Sequence, residues 1–484
     1  MFFAAIEGLT RLCAILETAS QSKQMKSLLE TAAHVKTRVR PLYDRLPQQL
    51  RAFGLYWQTL SLLRESQYWD EGRLAEYEVT QLRRMLQHCA ANVPYYQKLF
   101  RQVGFDPNKL RHADDLANLT TLDKETVRSG PQDFLAQNIP ESKRNYYTTG
   151  GTMGQPLGLY GLRGAGWRER AFIETQWARV GFNRTRLRAM LKGAVVKSKS
   201  HYTYDVREHA FVFSNFHLTP DTVANYAAVM KKRNIPFLHT YPSAALDFAR
   251  ILKDANIPPP RFEVLLLGSE NLYPGQREWI ESFYGCRVFS WYGHSENTVL
   301  AGECEVSQNY HIFPEYGFVE ILKEDGRPAT DEGEAGELVG TTLYNPVMPL
   351  VRYRTGDWAV LGPKSCPCGR KYRLLKETRG RWLQEMIIGK LNNRISITAL
   401  NMHSAVFDNV HQFQFYQREK GSVELRLVRK PSYSADDSNA ILTAFKEKMG
   451  DTVDIKLKFV NELSLTERGK FRFIIQDLPQ AKNE

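Results

Sequence analysis

The chain has 484 residues, 43% of them hydrophobic and 24% charged, and a formal net charge of +12. That length is enough for one large core or two to three smaller ones, and the composition reads as a soluble globular protein. No apolar run reaches the ~20 residues a membrane helix needs. The positive charge fits a solvated basic surface or any polyanionic partner, so it does not choose among nucleic acid, acidic lipid and nucleotides.

Residues 1–75 are predicted to form a helical N-terminal extension, with Ile6, Leu9, Leu12, Ile15 and Leu16 at helical spacing. Lys23, Lys26, Lys36, Arg38, Arg40 and Arg45 make it basic. Two readings stay open: a helix packed on the body, or an amphipathic surface making peripheral contact with anionic lipid. The start, Met1 to Glu7, lacks a leading positive charge and a cleavage site, so it reads as neither signal peptide nor anchor, and a cytoplasmic location is expected.

Residues 76–385 are predicted to be a large α/β domain. Leu82, Leu86 and Ala90 lie on a helix that stops at Asn92-Val93-Pro94, because proline disfavours helix in the residue before it. Short helix starts follow at Asp114-Asp115-Leu116 and Leu122-Asp123-Lys124. The run Tyr146-Tyr147-Thr148-Thr149-Gly150-Gly151-Thr152-Met153-Gly154-Gln155-Pro156 is a hydroxyl- and glycine-rich loop before an apolar strand, Leu157 to Tyr160. Glycines let successive N–H groups point into one concavity that binds phosphate, and threonine hydroxyls add donors. The loop lacks the Gly-Lys-Ser/Thr ending of a Walker A loop. A helix over Trp167 to Val180 comes next.

Phe237 to His239, Val264 to Leu267 and Val288 to Trp291 read as buried strands separated by helices, Ser243 to Asp254 and Pro274 to Phe283. That alternation predicts a parallel sheet covered on both faces, with binding loops at the strands' carboxyl ends. Gly268-Ser269-Glu270 and Tyr292-Gly293-His294 occupy such ends. Beyond residue 318 the chain turns to short alternating strands, and residues 386–484 predict a small α+β unit with strands over Ser422 to Val428 and Ile455 to Val460 around a helix.

Four motifs then stand in order: Thr148 to Gly154, Tyr292-Gly293-His294-Ser295-Glu296, Tyr353-Arg354-Thr355-Gly356-Asp357 and Arg468-Gly469-Lys470. From about Leu82 to Arg472 the sequence resembles the adenylate-forming superfamily, most closely the phenylacetate–CoA ligase family and its CapK-like, capsule-biosynthesis branch. The resemblance implies a large N-terminal adenylate-forming domain of layered α/β sheets and a small C-terminal lid. It implies an ATP-dependent ligase that turns a small carboxylic acid into an acyl-adenylate and passes it to a nucleophile, CoA or an amine or sugar.

On that resemblance Thr148, Thr149, Gly150, Gly151, Thr152 and Gly154 wrap the phosphates of ATP. Glu296 brings Mg²⁺, a hard cation that takes carboxylate oxygens. Gly268, Ser269 and Glu270 form the adenine-side loop, Tyr292 with Gly293 flanks the base, and Asp357 accepts from the ribose hydroxyls. Arg381 matches a hinge-side arginine, and Lys470 enters the site on the lid to stabilise the pentavalent phosphorus. The sequence departs from relatives at the hinge: Trp382-Leu383-Gln384-Glu385 stands where they carry paired aspartates, with Gln384 or Glu385 as the pivot candidates.

The acid pocket is expected from the middle of the large domain, with Tyr202, Tyr204, Tyr241, Ser243 and His294 as candidates. Arg184, Arg186 and Arg188 make that region polar or belong to the surface. Cys304, His311, Cys366 and Cys368 form a three-thiolate, one-imidazole set of the kind that holds structural Zn²⁺, against the plainer reading of buried free cysteines. A reading from another class is a non-catalytic adenylate-binding scaffold. No dedicated nucleic-acid module is present in the sequence.

Overall fold

The structure is a computed structural model that describes residues 54–149, 157–194, 196–270, 272, 275–379, 386–396, 400, 405–464 and 474–478. Helix α1 (Leu55–Ser66) packs on α5 (Gly166–Ala178), with Tyr56 donating to Glu174 at 2.8 Å. Helix α2 (Glu71–Asn92) is capped by Asp70 and runs unbroken across residue 75. Val93 is extended as Pro94 requires, and Pro94 opens α3 (Pro94–Val103) as an N1 residue. Helix α4 (Lys124–Ser129) is capped by Asp123.

The hairpin β1 (Arg144–Thr148) and β2 (Gly158–Leu162) frames the glycine-rich loop, and Thr149 N–H donates to Leu157 O at 2.9 Å across its base. The strands β3 (Arg188–Lys192), β4 (Tyr202–Asp205) and β5 (Ala210–Ser214) precede helix α6 (Pro220–Lys232). Then β6 (Phe237–Thr240), helix α7 (Pro242–Asp254), β7 (Val264–Leu267), helix α8 (Gln276–Tyr284) and β8 (Arg287–Gly293) alternate. An antiparallel series follows: β9 (Leu300–Glu303), β10 (Tyr310–Ile312), β11 (Gly317–Leu322), β12 (Ala335–Thr342), β13 (Tyr353–Leu361) and β14 (Leu374–Arg379).

These strands form one twelve-stranded sheet in the order β11-β12-β13-β14-β10-β9-β8-β7-β6-β3-β5-β4. Neighbours β8-β7-β6-β3-β5 are parallel, and β4 closes the edge antiparallel. The parallel half is buried on both faces, as its continuous apolar strands predicted. Leu191, Leu238, Leu265, Leu267 and Val288 face one layer of core, whereas Phe237, Val264, Leu266 and Phe289 pack with Trp177 of α5 on the other.

The C-terminal unit has a hairpin of β15 (Met386–Ile388) and β16 (Arg394–Ser396) and a four-stranded sheet. That sheet is built from β17 (Val410–Glu419), β18 (Ser422–Arg429), β19 (Asp454–Phe459) and β20 (Ile474–Gln476), with helix α9 (Ala435–Met449) between β18 and β19. The fold is therefore α/β with a small α+β lid. Residues of the lid, among them Ile387, Ile395, Phe413 and Phe445, share a core with Leu191, Leu238 and Leu265 of the parallel half.

Candidate active site

Three of the sequence motifs meet in one crevice. Strand β8 ends at Tyr292-Gly293, and the turn after it carries Glu296. The Glu296 side chain, only 12% exposed, takes His294 Nδ1 at 3.0 Å on one oxygen and accepts from Tyr353 Oη at 3.2 Å on the other. Burial opposes ionisation of this carboxyl, yet His294 and Lys124 outweigh it and hold its pKa down to about 2. It is an anion throughout the physiological range, the form a hard divalent cation requires. Thr298 Oγ1 stands 3.2 Å from His294 Nε2 and fixes the ring.

Asp357 is presented by an irregularity in β13. Glu337 pairs with Trp358 and Val339 with Arg354, so Thr355, Gly356 and Asp357 lie opposite Leu338 alone. Such a bulge re-aims side chains, and Gly356 supplies the left-handed backbone it needs, at φ 70°. Tyr292 Oη donates to Asp357 Oδ2 at 2.9 Å. The ring expected against adenine thus also orients the carboxylate expected under the ribose.

Lys124 was not anticipated as a site residue. Leu122 bridges to Tyr353 in parallel, which brings the start of α4 beside β13. Lys124 Nζ then donates to Thr149 Oγ1 at 3.2 Å and lies 4.0 Å from Glu296 Oε1. The sequence offered Leu122-Asp123-Lys124 only as a helix start; the bridge that gives it a role joins residues 231 positions apart. Tyr147, Asn297 and Tyr316 form a second tie, Asn297 donating to Tyr147 Oη at 3.2 Å and accepting from Tyr316 Oη at 2.9 Å.

The remaining predicted residues divide. Thr148 and Thr149 are buried at the loop's base. Gly150, Gly151, Thr152, Gly154, Arg381 and Lys470 lie outside the described residues, as do the hinge positions Gln384 and Glu385 and the basic segment before residue 54. Ser269 holds a left-handed backbone, φ 68°, between Gly268 and Glu270. Glu270 is fixed by Ser243, whose N–H and Oγ donate to it at 3.0 and 2.9 Å. Tyr241 is buried beside them.

Tyr202 and Tyr204 are not brought to this crevice. They sit on β4, the far edge of the sheet, where Tyr204 is 42% exposed and pairs with His209 Nδ1 at 2.8 Å. The arginines that made the region polar are tied elsewhere: Arg184 to Glu174, Arg186 to Glu263 and Arg188 to Glu208.

Cys304, His311, Cys366 and Cys368 converge beside β9 and β10, their donor atoms all within 4.8 Å of one another. Cys304 and Cys366 sulfurs are 3.5 Å apart, and Cys368 Sγ is 3.4 Å from His311 Nε2. Burial pushes the His311 pKa down to about 3, so its imidazole is neutral, the ligating form. The donor set and spacing fit a four-coordinate zinc ion.

Residues 387–477 match the family model for the CapK C-terminal domain. The chain is 24% identical to a phenylacetate-coenzyme A ligase of Thermus thermophilus over 73% of its own length and 80% of that protein. It is 22% identical to Protein CapK of Staphylococcus aureus, over 87% of this chain and 92% of that one. A crystal structure of 2-hydroxyisobutyryl-CoA ligase, in complex with 2-HIB-AMP and CoA, superposes with a TM-score of 0.55 at 19% identity, covering 86% of this chain and 93% of that chain. The chain is thus similar to phenylacetate–CoA ligases and to CapK over most of its length, and its C-terminal part matches the CapK C-terminal domain. In this fold Gly268 to Glu270 and Tyr292 to Glu296 follow parallel strands at their carboxyl ends, Asp357 lies in the adjoining bulge of β13, and Thr148 and Thr149 stand at the end of the β1–β2 hairpin.

Proposed function

We propose that the protein is an ATP-dependent, adenylate-forming ligase. A carboxylate oxygen of a small acid bonds to the α-phosphorus of ATP, the bond from that phosphorus to the bridging oxygen breaks, and pyrophosphate leaves. The acyl group of the resulting adenylate then passes to a nucleophile with release of AMP. The observation that carries this reading is the convergence of Thr149, Lys124 and ionised Glu296 with the Tyr292–Asp357 pair.

Each residue answers one need of the reaction, which is positioning two anions and neutralising the leaving charge. Lys124 and the Thr148–Thr149 base of the loop face the phosphates. Asp357, braced by Tyr292, takes the ribose hydroxyls. Glu296 would hold Mg²⁺, which neutralises phosphate charge when bound. Lys470 is assigned to the adenylation step and Arg381 to the hinge side. Lys470→Ala should abolish adenylate formation while sparing turnover of a pre-made adenylate; equal loss in both half-reactions would remove that role.

The acceptor divides two readings. Similarity to phenylacetate–CoA ligases supports a CoA thioester. The CapK C-terminal match and the altered hinge support transfer to an amine or sugar acceptor in polysaccharide biosynthesis, which we favour. The four-residue sulfur and imidazole set is assigned to structural zinc, residues 386–484 to the lid, and the basic N-terminal segment to packing or peripheral lipid contact. Among the described residues no helix is long and apolar enough to cross a membrane, and a cytoplasmic site of action is part of this proposal.

The test is incubation with ATP, Mg²⁺ and a panel of acids, hydroxylamine trapping, and measurement of AMP and pyrophosphate. Acid-dependent pyrophosphate with AMP is expected. ADP and phosphate would overturn the reading, and bound ATP without turnover across the panel would favour a scaffold.

A further inference from the structure

A cation is built into the carboxyl end of the parallel sheet. The pairs Leu191↔Thr240, Thr240↔Leu267 and Leu267↔Ser290 set one row of the sheet. The next residues along are Lys192, Tyr241, Gly268 and Trp291. Lys192 Nζ lies 4.8 Å from the centroid of the Tyr241 ring and 6.0 Å from that of Trp291, between two aromatic walls. Trp291 is seated by Gly268, where a Cβ would stand 2.5 Å from its ring, and by edge contact with Trp177 at 5.6 Å.

The partners of Lys192 are what make it unusual. Its hydrogen bond is to His239 Nε2, at 3.2 Å. Burial and the neighbouring cations hold the His239 pKa well below its ordinary value, so the ring is a neutral acceptor at Nε2. The nearest motif carboxylate, Glu270, is occupied by the Ser243 N–H and hydroxyl. Among the described residues Lys192 forms no ion pair. Burial lowers its pKa to about 8, partly offset by Glu270, which leaves it protonated at neutral pH. A desolvated ammonium whose one hydrogen bond among the described residues goes to a neutral partner, with Glu270 acting on it only through space, is half of an interaction.

The position of Lys192 separates it from the reacting centre. Its strand, β3, is three strand spacings from β8, roughly 14 Å at the usual separation, and its side chain reaches back toward Trp291. The reacting carboxylate must lie near the Glu296 and Asp357 groups, beyond β8. What meets Lys192 is therefore the far end of the acid.

We infer that Lys192 selects the substrate: the acid carries, at the end remote from its reacting carboxylate, a second anionic group that seats on Lys192 Nζ between Tyr241 and Trp291. This rests on the adenylation reading for which carboxylate reacts, and the pocket's preference is measurable apart from turnover. Lys192 acts here by binding and takes no part in bond making.

The test is calorimetric binding to the full chain of acids matched in skeleton: glutarate against valerate, and 4-carboxyphenylacetate against phenylacetate. The diacid of at least one pair should bind about tenfold or more tightly than its monoacid, the effect of one charge-assisted hydrogen bond. Lys192→Met should erase that preference with ATP affinity unchanged, and Lys192→Arg should restore most of it. Equal or undetectable binding of both members of each pair, or a preference that survives Lys192→Met, would overturn the inference. Pyrophosphate release from the same mixtures reports on the other reading: monoacids released as fast as diacids, whatever stands at 192, would leave adenylation intact and remove the role of Lys192. A Lys192-dependent diacid preference without any release would uphold the binding role and remove adenylation.

Discussion

At the scale of single residues, the site is a set of charges whose ionisation is fixed before any ligand arrives. Tyr292→Phe removes one donor to Asp357 while leaving the ring in place. Hydrogen bonds to charged groups contribute about 1.5–3 kcal/mol, so the KM for ATP should rise roughly tenfold or more in steady-state assays; an unchanged KM would show that Asp357 needs no such brace. Glu296 makes a pH prediction. Its folded pKa of about 2 lies below the ordinary 4.5, so the unfolded chain takes up the proton first as pH falls. The stability it contributes is complete above about 4.5 and gone below about 2, a change on the order of 3 kcal/mol. Glu296→Gln should flatten that part of the denaturation profile, measured by urea unfolding across acid pH. A slope unchanged between the two proteins would place the stabilisation elsewhere. Glu296 and Asp357 could be singled out from the sequence because each stands in a short contiguous motif. Lys124, Tyr353 and Lys192 could not, because each meets its partner only through long-range pairing of the chain.

At the scale of elements, the carboxyl ends of the parallel strands carry the candidate site residues, and the antiparallel half positions them. The turn bearing Glu296 continues to Thr298, and Thr298 rests on two neighbouring strands. A Cβ at Gly317 in β11 would stand 1.9 Å from the Thr298 carbonyl oxygen, and one at Gly340 in β12 would stand 2.3 Å from its Oγ1. Backbone, unlike a flexible side-chain tip, has nowhere to yield. Gly317→Ala should therefore cost about 1–3 kcal/mol of stability, the range for overpacking, and lower acid-dependent pyrophosphate release at saturating ATP because His294 and Glu296 shift with the turn. Wild-type rates in a destabilised Gly317→Ala protein would mean that the turn holds its position without the sheet. The strands themselves were readable: the buried runs at 237–239, 264–267 and 288–291 all form, in parallel, with helices where spacing placed them. Their continuation into one twelve-stranded sheet was not readable, since β8 pairs parallel on one side and antiparallel on the other. A strand's apolar pattern reports burial and carries no record of its neighbour's direction.

At the scale of the whole molecule, two long-range ties join parts that are distant in sequence. One is the shared core of lid and parallel half, reinforced by Asn393 Nδ2 donating to Phe216 O at 2.9 Å and by Tyr146 Oη, on the hairpin that frames the glycine-rich loop, donating to Asp408 at 2.7 Å. The other is the sulfur and imidazole set, which connects the β13–β14 loop to β9 and β10 in the middle of the great sheet. Two of its members, Cys304 and Cys366, are buried and close without the contact of a disulfide, at 3.5 Å. Four such donors without an ion would leave neutral thiols and the His311 Nε2 crowded against one another, at 3.5 Å between Cys304 and Cys366 and 3.4 Å between Cys368 and His311. A bound ion turns that crowding into four bonds. Purified, unchelated protein should therefore contain about one equivalent of zinc by elemental analysis, and less than about half an equivalent would refute the assignment. Cys366→Ser should release the metal and lower the thermal midpoint. The effect should also reach the crevice, because β9 pairs with β8 immediately beside Tyr292 and Gly293. If zinc is structural rather than catalytic, metal loss should reduce ATP affinity and stability together, whereas an active-site metal would abolish turnover with the fold and ATP binding intact.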